Sequence, residues 1–210
     1  MNFFITGTDT EIGKTYVTAL LLKDLRRRGL LAAGYKPVAC GDRQDPRAIR
    51  EATDPSMSLD EINPLYLRTP TAPYVAANFE RQTVDLDMLA EGYRHLAARF
   101  DPVLVEGVGG WEVPLAPGKT VADFARMLDL PVILVVGNKL GAVNHAILTA
   151  KAIASNGLVC RGIVLNHSGE EWDTAAVTNR GLIEEFASLP VLAELIRGQD
   201  EIDSETVLGE

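Results

Sequence analysis

The chain reads as an α/β protein in which helices flank a mainly parallel sheet. Three observations carry this reading. Short apolar runs ending in glycine or a charged residue alternate with longer stretches whose apolar residues recur at helical spacing, the mark of strand–helix–strand units. A glycine-bounded segment ending in Gly13-Lys14-Thr15 falls between the first strand-like run and the first long helical pattern. With 210 residues, 47% of them hydrophobic, the chain can fill one substantial core, so residues 1–210 are read as a single domain.

Taken in order, the expected core strands are residues 2–6, 31–35, 102–105, 131–136 and 161–165, each an apolar run too short for a helix. Helical spacing marks 14–28, 86–100, 121–128, 144–156 and 174–187. Residues 41–83 are rich in Asp, Pro, Ser and Thr; apart from a short helix around 46–52, they read as excursions around a site. The acidic end, 199–210, has no packing pattern and is expected to be a mobile tail.

A formal net charge of -9 opposes attraction to nucleic acid or an anionic membrane and favours a small-molecule substrate. Arg26-Arg27-Arg28 is the only dense basic run; at the end of a helical pattern it reads as a solvated face complementing exposed carbonyls. No apolar run approaches the roughly 20 residues that span a bilayer, and the start of the chain has no basic region or cleavage signal, so a soluble cytoplasmic protein is expected. Cys40 and Cys160 make neither a disulfide framework nor a metal cluster, and the histidines lack zinc-ligand spacing.

Gly7-Thr8-Asp9-Thr10-Glu11-Ile12-Gly13-Lys14-Thr15 has the context of a phosphate-binding loop, leaving a strand and opening a helix. Its glycines let successive N–H groups turn inward, and the helix N-terminus adds partial positive charge beneath the phosphates. Lys14 is expected on the β- and γ-phosphates of a nucleoside triphosphate and the Thr15 hydroxyl on magnesium. Five residues rather than four separate Gly7 from Gly13, one more than the usual pattern. Glu106, closing the run Val103-Leu104-Val105, is the candidate acidic partner for the metal, and Gly107, Gly109 and Gly110 permit close backbone approach to a ligand. Lys36 follows the second strand and should project from the carboxyl edge of the sheet, where α/β proteins place ligands. In Gly137-Asn138-Lys139-Leu140-Gly141, glycine stands where a guanine-reading site needs Asp, so adenine is the expected base.

The phosphate-loop segment, Gly34-Tyr35-Lys36-Pro37-Val38, the block from Val105-Glu106-Gly107-Val108-Gly109-Gly110 to Trp111, and residues 131–141 with Asn144-His145-Ala146 together resemble the ATP-dependent dethiobiotin synthetases. The likeness runs in order over nearly the whole chain, and the long loop matches that family's spacing. It implies a three-layer P-loop NTPase fold and formation of the ureido ring of dethiobiotin from 7,8-diaminononanoate, carbon dioxide and ATP. It further implies that Lys36, Lys14 and Thr10 serve catalysis, Thr10 lying between nucleotide and diamine. Thr15, Asp45 and Glu106 would hold magnesium, with Asp42 as the rival of Asp45. Glu11, Ile12, Gly13 and Tyr16 would contact the nucleotide, as would Gly107, Val108 and Gly109. The adenine would meet Asn166, His167 and the segment Pro190, Val191, Leu192. Cys40 would lie near the diamine where relatives commonly carry serine. A homodimer would hold the diamine at its interface, with Gly141, Ala142 and Asn144 of one subunit receiving its carboxylate from the other. The competing reading is a nucleotide-switched, partition-type ATPase acting as an interaction protein. The acidic composition, the missing basic patch and the Lys36 and Glu106 blocks weigh against it.

Overall fold

The structure, a computed structural model, describes residues 1–209. In chain order its elements are β1 (Phe3–Gly7), α1 (Lys14–Arg27), β2 (Ala33–Tyr35), β3 (Val38–Cys40), α2 (Gln44–Ala52), α3 (Leu59–Ile62), β4 (Leu65–Leu67), α4 (Pro73–Glu80), α5 (Leu86–Ala97), β5 (Val103–Glu106), β6 (Pro114–Ala116), β7 (Lys119–Thr120), α6 (Val121–Leu128), β8 (Val132–Gly137), α7 (Ala142–Ser155), β9 (Cys160–His167), α8 (Thr174–Ala187), β10 (Val191–Ile196) and α9 (Ser204–Leu208).

The central sheet has six strands in the order β10-β9-β8-β1-β5-β2, and every pairing in it is parallel. Its inner strands β1, β5 and β8 are buried along nearly their whole length, which is why they read as unbroken apolar runs rather than alternating ones. The strand absent from the sequence reading, β10, lies at a sheet edge. Its burial is patchy, and Ala193-Glu194 interrupts the apolar run that would have announced it.

Residues 41–83 are more ordered than their composition implies. A parallel pair, β3 with β4, and the helices α2, α3 and α4 fold over the carboxyl end of β2. Three hydrogen bonds tie this segment to that end of the sheet. The Lys36 N–H donates to the Ile62 carbonyl at 2.8 Å, the Asn63 amide to the Lys36 carbonyl at 2.9 Å, and the Gly34 N–H to the Thr53 hydroxyl at 3.0 Å.

The acidic end overturns the expectation of a mobile tail over its described residues. It forms α9, and Ile202, Ser204, Val207 and Leu208 are buried against the body of the protein. Asp24, itself only 3% exposed near the end of α1, accepts from the N–H and hydroxyl of Ser204 at 3.0 and 2.7 Å. It therefore satisfies donors at the start of α9 that no intrahelical carbonyl reaches. Arg27 and Arg28 pair with Asp24 at 2.6 and 2.9 Å and with Glu201, Asp203 and Glu205 of the terminal segment. Arg26 bonds the Thr53 carbonyl. The basic run is thus an anchor as well as a solvated face: Arg27 and Arg28 stay exposed at the end of α1 while they hold the terminal segment. Opposite charges distant in sequence meet only once both ends of the chain are folded.

Burial opposes ionisation of Asp24, but hydrogen bonds from Ser204, Arg27 and Arg28 outweigh it and hold the carboxyl well below the usual carboxylate range. A depressed folded pKa gives stability that is complete above the ordinary value of about 4 and is lost as pH falls below it. Asp24→Ala is expected to destabilise the protein by about 2–4 kcal/mol at pH 7. Urea unfolding repeated near pH 2.5 should show a narrower gap between wild type and variant; a gap unchanged by acid would contradict the assignment.

Candidate nucleotide and metal site

The parallel order brings three strand ends together. β1 pairs with β5 so that Ile5 lies beside Glu106, and β2 pairs with β5 so that Tyr35 lies beside Val105. The loop after β1, the carboxylate ending β5 and Lys36 just past β2 consequently share the carboxyl edge.

The loop itself is wound as phosphate binding requires. Gly13 adopts φ 95° and Glu11 φ 57°, both left-handed, and α1 begins with no side-chain cap or acidic residue in its first turn. Its first N–H groups are left for an anion. A Cβ on Gly13 would collide with the Asn166 amide nitrogen, and one on Gly7 would stand 2.6 Å from Ile12 Cδ1. Lys14 Nζ donates to the Asp9 carbonyl at 2.6 Å, arching over the loop. Burial, then the neighbouring charge of Lys36, lowers the Lys14 pKa to about 8. An incoming phosphate would reverse that effect.

Glu106 is fully buried. Its Oε1 accepts from Thr15 Oγ1 at 2.6 Å and from Lys36 Nζ at 2.5 Å, while its Oε2 has no partner. Lys36 also donates to the Gly107 carbonyl at 3.0 Å and lies 3.4 Å from Asp45 Oδ2. Burial would lower its pKa, but Glu106 and then Asp45 raise it, so the ammonium is charged. Asp45, in the first turn of α2, thus faces the site. Asp42 is spent on the Gln44 N–H at 2.9 Å, outside this cluster.

A buried unpartnered carboxylate oxygen, a hydroxyl and a second carboxylate form a set of hard oxygen donors that fits magnesium. Among the described residues no three His, Cys, Asp or Glu side chains could hold a metal by themselves.

Two clefts flank the loop. One, of about 490 Å³, is bordered by Thr10, Glu11 and Ile12, by the turn after β8 and by the segment after β9. The other, of about 220 Å³, is lined by Glu11, Gly13, Tyr16, Asn166, Ser168, Arg197 and Gly198. Asn166 Nδ2 donates to the Ile12 carbonyl at 2.8 Å, which fixes the amide and leaves Oδ1 as its free acceptor. The His167 ring stacks on Trp172 at 4.2 Å and its Nδ1 donates to the Asn138 carbonyl at 3.3 Å, so it braces the wall of the first cleft.

Pro190, Val191 and Leu192 are not at this edge, which corrects the expectation that they line the base pocket. The Pro190 carbonyl accepts from the Ile163 N–H at 2.9 Å and Leu192 packs on Gly162, both at the amino end of the sheet. In a parallel pair both strands finish on the same edge, and Ile196 is in register with His167. Arg197 and Gly198, missed by sequence reasoning, therefore take the place assigned to 190–192. An apolar run ended by Arg-Gly was the available sign.

Val108 and Gly109 are half-exposed beside the loop, and a Cβ on Gly110 would lie 3.6 Å from the Gly7 and Thr8 carbonyls. Cys40 ends β3 near Lys36 and Glu80. Burial and then Glu80 push its thiol up to about 11, so a thiolate is disfavoured. Gly141, with φ 93°, is the uncapped N-cap of α7; Ala142 is buried and Asn144 exposed on the first turn.

A family model described as an AAA domain matches residues 1–200. An ATP-dependent dethiobiotin synthetase BioD of Akkermansia muciniphila is 56% identical over 207 residues, covering 99% of this chain and 97% of that protein. The ATP-dependent dethiobiotin synthetase BioD of Serratia marcescens is 43% identical, covering 80% of this chain and 77% of its own. Among solved structures, a ParA family ATPase from Chlorobium tepidum aligns with TM-score 0.60 at 13% identity, over 99% of this chain and 89% of its own. The cell division ATPase MinD of Pyrococcus furiosus gives 0.57 at 19%, over 99% and 87%. These two likenesses show the P-loop fold alone.

Gly13→Ala is expected to cost about 2–4 kcal/mol, because it combines left-handed strain with the Asn166 collision. Gly29→Ala, with φ 87° and open space around it, should cost only about 1 kcal/mol. Thermal denaturation of both compares strain alone with strain plus collision; equal losses would remove Asn166 from the account.

Proposed function

The chain belongs to the family of ATP-dependent dethiobiotin synthetases, and from that premise we propose that it closes the ureido ring of dethiobiotin from 7,8-diaminononanoate, carbon dioxide and ATP. The observation that carries the proposal is the Lys36 ammonium, 2% exposed and paired with Glu106 and Asp45 beside the phosphate loop. A buried cation at that place meets an anion made next to the γ-phosphate better than it meets a neutral substrate.

One substrate amine captures carbon dioxide and loses a proton, giving a carbamate. A carbamate oxygen attacks the γ-phosphorus, the bond to the ADP oxygen breaks, and a carbamic-phosphoric anhydride forms. The second amine attacks the carbonyl carbon, loses its proton and expels phosphate as the ring closes. Lys14 offsets charge on the transferring group, Lys36 stabilises the carbamate, and Thr10 lies where nucleotide and diamine meet. Thr15, Asp45 and Glu106 would hold magnesium, which supplies neutralisation of phosphate charge.

With one Nδ2 N–H given to Ile12, Asn166 keeps Oδ1 and its second N–H free, so the cleft it lines suits a base edge that both donates and accepts, as adenine's does. The homodimer, with Gly141, Ala142 and Asn144 receiving the diamine carboxylate from the other subunit, belongs to the same proposal, as does a cytoplasmic location. In its favour, the uncapped start of α7 offers N–H groups and Leu140 beside it is 83% exposed. No described helix is long and apolar enough to cross a membrane.

Incubation with 7,8-diaminononanoate, bicarbonate, magnesium and each nucleoside triphosphate should give a product of dethiobiotin mass, fastest with ATP. Folded protein that yields none would refute the reading. Lys36→Ala should lower kcat by about 10²–10³-fold while ATP affinity changes less than about fivefold. An unchanged kcat would remove Lys36 from the chemistry.

A further inference from the structure

Residues 197–203, the connection from β10 to α9, have a wall of the Asn166 cleft at one end and the Asp24 cluster at the other. At the β10 end the Gln199 N–H donates to the Ile196 carbonyl at 3.1 Å, and its side-chain oxygen accepts from the Ile196 N–H at 3.3 Å. At the far end Ile202 is buried, Glu201 pairs with Arg27 at 3.0 Å, and Ser204 docks on Asp24 through two hydrogen bonds. Gly198, with φ 79°, supplies the bend between these anchors.

The helix receiving the far anchor is α1, which also begins at Lys14 and Thr15 and sends Tyr16 to the wall of the same cleft. One rigid element thus references both the phosphate end and the Arg197–Gly198 wall. Without the far anchor, the wall would be held by exposed contacts: the Gln199 turn, the Gln199 side chain on the Glu201 carbonyl at 2.8 Å and the Arg197–Glu170 pair at 2.5 Å.

We propose that Asp24, with Ser204, Arg27 and Arg28, is a positioning cluster for the nucleotide: it fixes residues 197–203 so that Arg197 and Gly198 stand ready around the base, and it raises nucleotide affinity without touching the nucleotide. The inference rests on the reading of the Asn166 cleft as the base site. Ordering the connection during folding removes that entropic cost from binding, so affinity rises while the reacting atoms are unaffected.

Asp24→Asn keeps the side-chain shape but removes the charge, and Ser204→Ala removes one donor while sparing the arginine pairs. Magnesium-ATP binding by calorimetry, alongside steady-state kinetics, tests the proposal at a temperature where both variants are folded. Kd and KM for ATP should rise about 3–10-fold in Asp24→Asn, and by less in Ser204→Ala. Meanwhile kcat and the KM for the diamine should stay within about twofold. An ATP Kd within about 1.5-fold of wild type in Asp24→Asn, or a kcat that falls while the ATP KM holds, would show a purely stabilising cluster and overturn the proposal. A wild-type protein that binds ATP but makes no dethiobiotin would refute the functional reading instead, and the Kd comparison would still decide this inference.

Discussion

The pairing of Lys36 with Glu106 is the constraint around which the site is built. An ammonium and a carboxylate taken out of water impose a large desolvation cost, which their attraction offsets only when the remaining polar atoms are satisfied. Here Thr15 and Lys36 share one Glu106 oxygen, the Gly107 carbonyl accepts from Lys36, and Asp45 adds a second negative charge. The one carboxylate oxygen of the pair left without a partner is Glu106 Oε2. The pair explains much of the surrounding structure. The fold over residues 41–83 clamps the Lys36 backbone through Ile62 and Asn63, so the ammonium cannot retreat to solvent without disturbing that segment.

Strand order converts this constraint into a site. Because β5 lies between β1 and β2, the phosphate loop, the carboxylate and the lysine emerge side by side from neighbouring strands. The same directional rule places Asn166 at the end of β9 and Arg197 just after β10 at that edge, and sends Pro190 to the opposite one. Asn166 links the two halves: its amide holds the Ile12 carbonyl and crowds Gly13, so the loop conformation and the cleft that Asn166 lines depend on each other.

The helix α1 extends that dependence along the molecule. Its start offers uncapped N–H groups and Lys14 to phosphate, and its end presents Asp24, Arg27 and Arg28 to the last turn of the chain. Three of the acidic residues behind the net charge of -9 are thus not bare surface repulsion: Glu201, Asp203 and Glu205 pair with the densest basic run of the sequence.

The sequence by itself determined the parallel α/β fold, because doubly buried strands such as β1, β5 and β8 must be continuous apolar runs and helices that cover a sheet must be periodic. It also determined the phosphate loop and the relevance of Lys36 and Glu106, since glycines, a lysine and a carboxylate at strand ends announce themselves locally. Only the tertiary structure decided what depends on distant pairings. Edge strand β10 is half-buried and weakly patterned, so its carboxyl end, and with it Arg197 and Gly198, could not be located from residue type. Whether Asp42 or Asp45 faces Lys36 turns on where α2 begins, since Asp45 falls in its first turn and Asp42 before its N-cap. The fate of the acidic end was settled by Asp24, a charge that looks like ordinary helix surface until the chain returns to it.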